Sequence, residues 1–148
     1  MVVTPTMPLP NWLEGKKLNK IEQNKANKDG LLVGSEIEEF ARVGWENVDE
    51  TDLQLRLKWY GMFWRPKTPG LFMLRLRVPN GVLNIEQLRA IGSIVARYGT
   101  SGSADITTRQ NIQLRGVLLE DLPDILQRLK AVGLLSLIHI SEPTRRVR

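Results

Sequence analysis

The stretch "SADITTRQNIQLRGV", Ser103 to Val117, decides how this 148-residue chain folds. Two short alternating runs flank a polar hinge near Gln110. In the first, Ala104, Ile106 and Thr108 take one side and Asp105, Thr107 and Arg109 the other. In the second, Ile112 and Leu114 point inward while Asn111, Gln113 and Arg115 point outward. A period of two belongs to a strand with one buried face, so the segment predicts two antiparallel strands joined by a turn. The outward side is crowded with guanidinium and amide groups.

Working outward, "LFMLRLRVPNG" (71–81) alternates again, with Phe72, Leu74, Leu76 and Val78 on one side and Met73, Arg75 and Arg77 on the other. Between the two segments, "IEQLRAIGSIVARYG" sets Ile85, Leu88, Ile91, Val95 and Tyr98 at helical spacing, with Asn84 as N-cap and Gly99 as stop. Downstream, "LPDILQRLKAVG" follows a capping Asp121, tolerates Pro123 in its first turn and aligns Ile125, Leu126, Leu129 and Val132. The order strand, helix, strand, strand, helix predicts an α+β, ferredoxin-like half-domain over 53–134 that calls for one more strand after its second helix. Further upstream, Leu53, Leu55 and Leu57 alternate with polar residues and predict another strand before the turn at 66–70.

If both helices cover the apolar side of the sheet, Arg75, Arg77, Thr107, Arg109, Gln113 and Arg115 share the other side. Guanidinium groups offer fixed forks for paired oxygens, so this set suits carboxylates or phosphates. Two other readings stay open. An antiparallel sheet often leaves one side in water. A ferredoxin-like sheet can also bind RNA, which the lack of aromatic residues at these strand centres weakens. The aromatics of "KWYGMFW" (58–64) read as core packing.

The chain has no cysteine and one histidine, His139. Disulfides, thiolate metal sites, cysteine nucleophiles and an iron–sulfur cluster ligated within the chain are thereby excluded. No apolar run approaches the roughly 20 residues of a membrane span, and "MVVTPTMPLPNW" lacks the pattern of a secretory signal, which predicts a soluble, unexported chain. The net charge is +5, and its positive excess lies in 61–134, with 10 Lys/Arg against 5 acidic residues. Residues 1–52 carry Pro5, Pro8, Pro10 and the lysine-rich "GKKLNKIEQNKANKDG", predicting an extended N-terminal arm. Within it, "SEIEEFARVG" predicts a short helix capped by Ser35 and ended by Gly44. In the tail, 135–148, the run "LSLIHISEPTR" (135–145) resembles a translated sequencing adapter. That tail is expected to be non-native and is set aside from the fold.

The segments "KWYGMFWRPKTPGLFMLRLRVPNGV" and "YGTSGSADITTRQNIQLRGV", in this order and at this separation, resemble the N-terminal half of the nitrite and sulfite reductase family. The likeness runs from about Lys20 to Leu134 and is to the ferredoxin-dependent nitrite reductases of cyanobacteria and plastids. It implies a six-electron reduction of nitrite to ammonium at sirohaem, fed by reduced ferredoxin through a [4Fe-4S] cluster, in the cytoplasm or a plastid stroma. It also implies roles for single residues. Arg109 and Gln113 correspond to positions that bind sirohaem carboxylates, Thr107 to a nearby contact, and Arg75 to an arginine that binds the substrate anion. Arg77 and Arg115 are assigned to the same cofactor-holding face. "TTRQNIQLRG" favours the nitrite branch over sulfite reductases, which stay as the alternative beside a free-standing polyanion or RNA module. The family's cluster ligands are cysteines of a C-terminal half, and none occurs in this sequence. The resemblance therefore implies a fragment that is inactive by itself.

Overall fold

A computed structural model describes residues 17–134; the expectations for Pro5, Pro8, Pro10 and the tail 135–148 lie outside the described residues. Four helices and four strands organise it: α1 (Lys20–Asn27), α2 (Ile37–Val43), β1 (Met62–Phe63), β2 (Phe72–Leu76), α3 (Ile85–Tyr98), β3 (Asp105–Ile106), β4 (Ile112–Val117) and α4 (Leu122–Ala131). The strands form one antiparallel sheet in the order β1-β2-β4-β3. Because β4 lies between β2 and β3, the unit β2-α3-β3 is the split βαβ of a ferredoxin-like fold.

In β2 and β4 the alternation read from the sequence is the alternation observed. Phe72, Leu74, Leu76 and Val78 are buried, as are Ile112, Leu114 and Val117, and they face Ile91 and Ile94 of α3 and Leu122, Ile125 and Leu129 of α4. Asn84 begins α3 with a capping box: its side chain accepts from the Gln87 amide at 2.8 Å, and Gln87 Oε1 accepts from the Asn84 amide at 3.1 Å. The N-terminal part of the α3 stripe is not covered, however. Ile85 is 68% exposed and Leu88 58%, whereas Ile91 is buried as expected and Ile94, outside the expected stripe, is buried with it.

Three further differences arise upstream. Leu53, Leu55 and Leu57 do not form a strand: Asp52–Arg56 is a π-helical turn that runs into a 3-10 turn, Leu57–Tyr60. Leu53 and Leu57 are both buried, which a helical spacing of four satisfies as well as alternation does. Ser35 does not cap α2, because its hydroxyl donates to the Leu32 carbonyl at 2.9 Å. Gly44, with φ at 80°, does end α2 as expected. Finally, the edge of the sheet beside β2 is occupied by β1, which precedes the split βαβ unit in the chain. A strand following α4 would lie outside the described residues.

The segment before β1 also contributes to the core. Val33, Ile37, Val48, Leu53 and Leu57 join the buried cluster of the sheet and its helices, and α2 packs against α4. Asp52, 5% exposed, accepts from Lys28 Nζ at 2.9 Å and Arg56 Nη1 at 2.6 Å; Lys28 also reaches Glu36. These charges are buried but paired, and Arg56 further donates to the Asn24 and Lys28 carbonyls.

Candidate functional site

The side of the sheet away from α3 and α4 is built by register. Arg75 of β2 lies opposite Gln113 of β4, Met73 opposite Arg115, and Asp105 of β3 opposite Gln113. Arg75, Gln113 and Arg115 therefore share one face, as the sequence predicts. Arg77 continues the alternation one residue beyond β2, half-buried between buried Leu76 and Val78.

Thr107 and Arg109 lie elsewhere. The β3 strand ends at Ile106, and the chain turns at once: the Thr107 amide donates to the Asn111 carbonyl at 2.8 Å and the Gln110 amide to the Thr107 carbonyl at 2.9 Å. Gln110 takes φ at 61°, the left-handed residue that closes a three-residue hairpin loop. Thr107 is thus at the base of the hairpin, where its hydroxyl accepts from the Asn111 amide at 3.1 Å, and Arg109 is exposed on the loop. Ile106 shares the core side with Ile112 but is 81% exposed, because β3 is the sheet edge and no helix reaches over it. The loop still belongs to the site's end of the sheet, since the Gln110 side chain packs on Gly81 in the turn that follows β2.

The charges on this face are not all free. Arg115 Nε donates to Asp105 Oδ2 at 2.9 Å in an exposed pair of small energetic weight. With its amide carbonyl turned toward Arg75, Gln113 accepts from Nε at 3.0 Å and Nη2 at 2.9 Å. Arg77 and Arg109 make no hydrogen bond or ion pair among the described residues. Asp105 is the one carboxylate within the four strands. Acidic residues are thus too few to neutralise the face, and oxygen anions are what its donors can hold.

One member of the face is absent from the sequence reading. Pairing of Met62 with Leu74 and Phe63 with Met73 puts Met62 in the core and Phe63 on the polar side, where its ring centroid is 4.9 Å from Arg75 Cζ. The aromatics of 58–64 are therefore divided, not all core. Trp64 packs on Phe72 and Trp45, whereas Phe63 lies against the guanidinium. The available signal was the Met62–Phe63 alternation after Gly61, too short to stand out beside the richer runs downstream.

A split βαβ unit whose outer sheet face is rich in guanidinium and amide donors defines a ferredoxin-like half-domain. Residues 65–132 match the nitrite/sulfite reductase ferredoxin-like half domain, and this segment belongs to that family. Over 121 residues it is 58% identical to the ferredoxin–nitrite reductase of Synechococcus elongatus, covering 82% of this chain and 24% of that protein. It is 44% identical over 128 residues to the chloroplastic ferredoxin–nitrite reductase of Spinacia oleracea, covering 81% and 22%. The solved structure of the Mycobacterium tuberculosis NirA protein is similar with a TM-score of 0.74 at 31% identity, over 81% of this chain and 25% of that one. The chain spans about a quarter of the length of the curated relatives it matches. Among the described residues no helix is long and apolar enough to cross a membrane.

Proposed function

We propose that residues 17–134 supply the anion-holding face of an assimilatory ferredoxin-dependent nitrite reductase, which reduces nitrite to ammonium with electrons from ferredoxin in a cytoplasm or plastid stroma. The observation that carries this reading is the arrangement of Arg75, Arg77, Arg109 and Arg115 at one sheet face and its adjoining hairpin, with Asp105 the one carboxylate in the strands. The half-domain takes 53–134, and the segment 17–52, expected to be an extended arm, is instead helical and packs into its core. The names of the similar cyanobacterial and chloroplast proteins support the choice of nitrite and of ferredoxin.

The donor set fits the carboxylates of sirohaem. Arg77, Arg109 and Arg115, with the amide of Gln113 and the hydroxyl of Thr107, would hold them, and Arg75 would hold the substrate anion. When bound, sirohaem supplies the iron at which nitrite is reduced. A [4Fe-4S] cluster does not fit this chain's own residues, because the sequence contains no cysteine and the described residues contain no cluster of metal-ligating side chains.

The contribution of the chain itself is electrostatic. Arg75 draws the anion to a fixed place and offsets the negative charge that builds as an N–O bond breaks, a task for a preorganised donor. Gln113 uses its carbonyl oxygen on Arg75, leaving its two N–H groups for a carboxylate. It thereby links the cofactor side of the face to the substrate side.

The test is expression of the whole reading frame that carries residues 17–134, in a host that makes sirohaem. We expect sirohaem uptake, oxidation of reduced ferredoxin on addition of nitrite, and a larger kcat/KM for nitrite than for sulfite. Arg75→Ala should lower kcat/KM for nitrite on the order of 100-fold. A protein that takes up no sirohaem, or that prefers sulfite, overturns the reading.

A further inference from the structure

We propose that Phe63 is a positioning residue for Arg75, setting the plane of its guanidinium and so the donor edge shown to the substrate. The inference rests on Arg75 as the nitrite-binding residue and adds a second element to that site.

It starts from the backbone. The Arg75 amide donates to the Gly61 carbonyl at 2.8 Å, and the two-residue pairing that follows fixes side-chain parity: Met62 is fully buried and Phe63 emerges beside Arg75. The ring lies 4.9 Å from Cζ, within the range in which an aromatic face attracts a guanidinium. Arginine has five N–H groups in a rigid plane. Gln113 takes one from Nε and one from Nη2, at 3.0 and 2.9 Å. What remains is both hydrogens of Nη1 and one of Nη2, and the parallel pair among them, one on each Nη, forms a fork matched to two oxygens of one anion.

Two constraints therefore act on one plane. Gln113 fixes rotation within it, and Phe63 opposes tilting out of it. A ring suits this task because it offers no strong hydrogen-bond acceptor to consume the free fork. Without it, the guanidinium can pivot about the Gln113 contacts and the fork loses its fixed direction.

The experiment uses the holoprotein from the whole reading frame. Nitrite binding is followed by the change in haem absorption, with haem content and thermal stability measured alongside. Phe63→Leu should raise the nitrite Kd about 3- to 10-fold at unchanged haem content. Phe63→Tyr, which keeps the ring face, should stay within about 2-fold of wild type. In an Arg75→Ala background Phe63→Leu should have no further effect, the signature of a residue acting through another. An unchanged Kd in Phe63→Leu, or an equal shift in both backgrounds, overturns the inference. If Phe63→Leu takes up no haem, Phe63→Met replaces it in the same comparison. Wild-type protein that binds no nitrite, or Arg75→Ala that binds it normally, overturns the nitrite reading instead, so the two failures are distinguishable.

Discussion

Gly61 shows how one residue can set the site. It ends the 3-10 turn Leu57–Tyr60 with φ at 79°, and a Cβ there would lie 2.6 Å from the Arg75 carbonyl oxygen. The positive φ alone favours glycine, and the near approach of a second backbone leaves no side chain that could move aside. Gly61→Ala should therefore destabilise the protein by about 2–4 kcal/mol. It should also loosen β1 from β2, exposing the Arg75 amide and displacing Phe63. Thermal unfolding gives the first effect, and hydrogen exchange at Arg75 gives the second. Retained stability with a protected amide would show that the strand pair accommodates a Cβ at this position without separating.

Among the elements, the buried charges of the upstream helices make the clearest predictions. Asp52 is held between Lys28 and Arg56, so Asp52→Asn leaves Lys28 only Glu36 and Arg56 only backbone carbonyls and should cost about 1–3 kcal/mol in urea unfolding. Burial works against the Lys28 ammonium, but its hydrogen bonds and attraction to Glu36 and Asp52 outweigh that, and its pKa lies above the ordinary 10.5. For the Tyr60 phenol burial acts in the opposite sense and raises its pKa above the ordinary 10.0; its hydroxyl donates to the Leu31 carbonyl at 2.7 Å. Both groups have folded pKa values above unfolded ones. Their stabilisation is thus complete below about pH 10 and is lost as pH rises through the folded values. Denaturation midpoints should be level from pH 7 to about 10 and then fall, and Lys28→Gln should shrink the fall. A fall beginning well below pH 10 would place the responsible group elsewhere.

On the scale of the whole molecule, coverage separates equal-looking residues. Ile85, Leu88, Ile91 and Ile94 are all apolar and on one helix, yet the first two are exposed and the last two buried. Ile94→Ala should cost about 2–5 kcal/mol, because a cavity is left in the shared core. Ile85→Gln and Leu88→Gln should each change stability by less than about 0.5 kcal/mol. Urea unfolding of the three variants measures the contrast. A large loss at Ile85 or Leu88 would mean that α3 sits differently on the sheet.

The sequence by itself determined the order β2-α3-β3-β4-α4, the buried side of β2 and β4, the cap at Asn84 and the gathering of Arg75, Gln113 and Arg115. Each follows from neighbours along the chain, since strand parity and helix caps are local. The tertiary structure decided what depends on distant partners. Leu53 and Leu57 satisfy a strand and a helical turn equally, and only packing against the rest of the core selects the turn. A two-residue strand such as β1 has no periodicity to announce it, so its edge position and the placing of Phe63 under Arg75 arise from pairing with β2. The early end of β3 moves Arg109 from the face to the hairpin loop, because the turn closes through hydrogen bonds from Thr107 and Gln110 that alternation does not encode. Local patterning thus specifies which side chains share a face, and long-range backbone pairing specifies how the guanidinium at its centre is aimed.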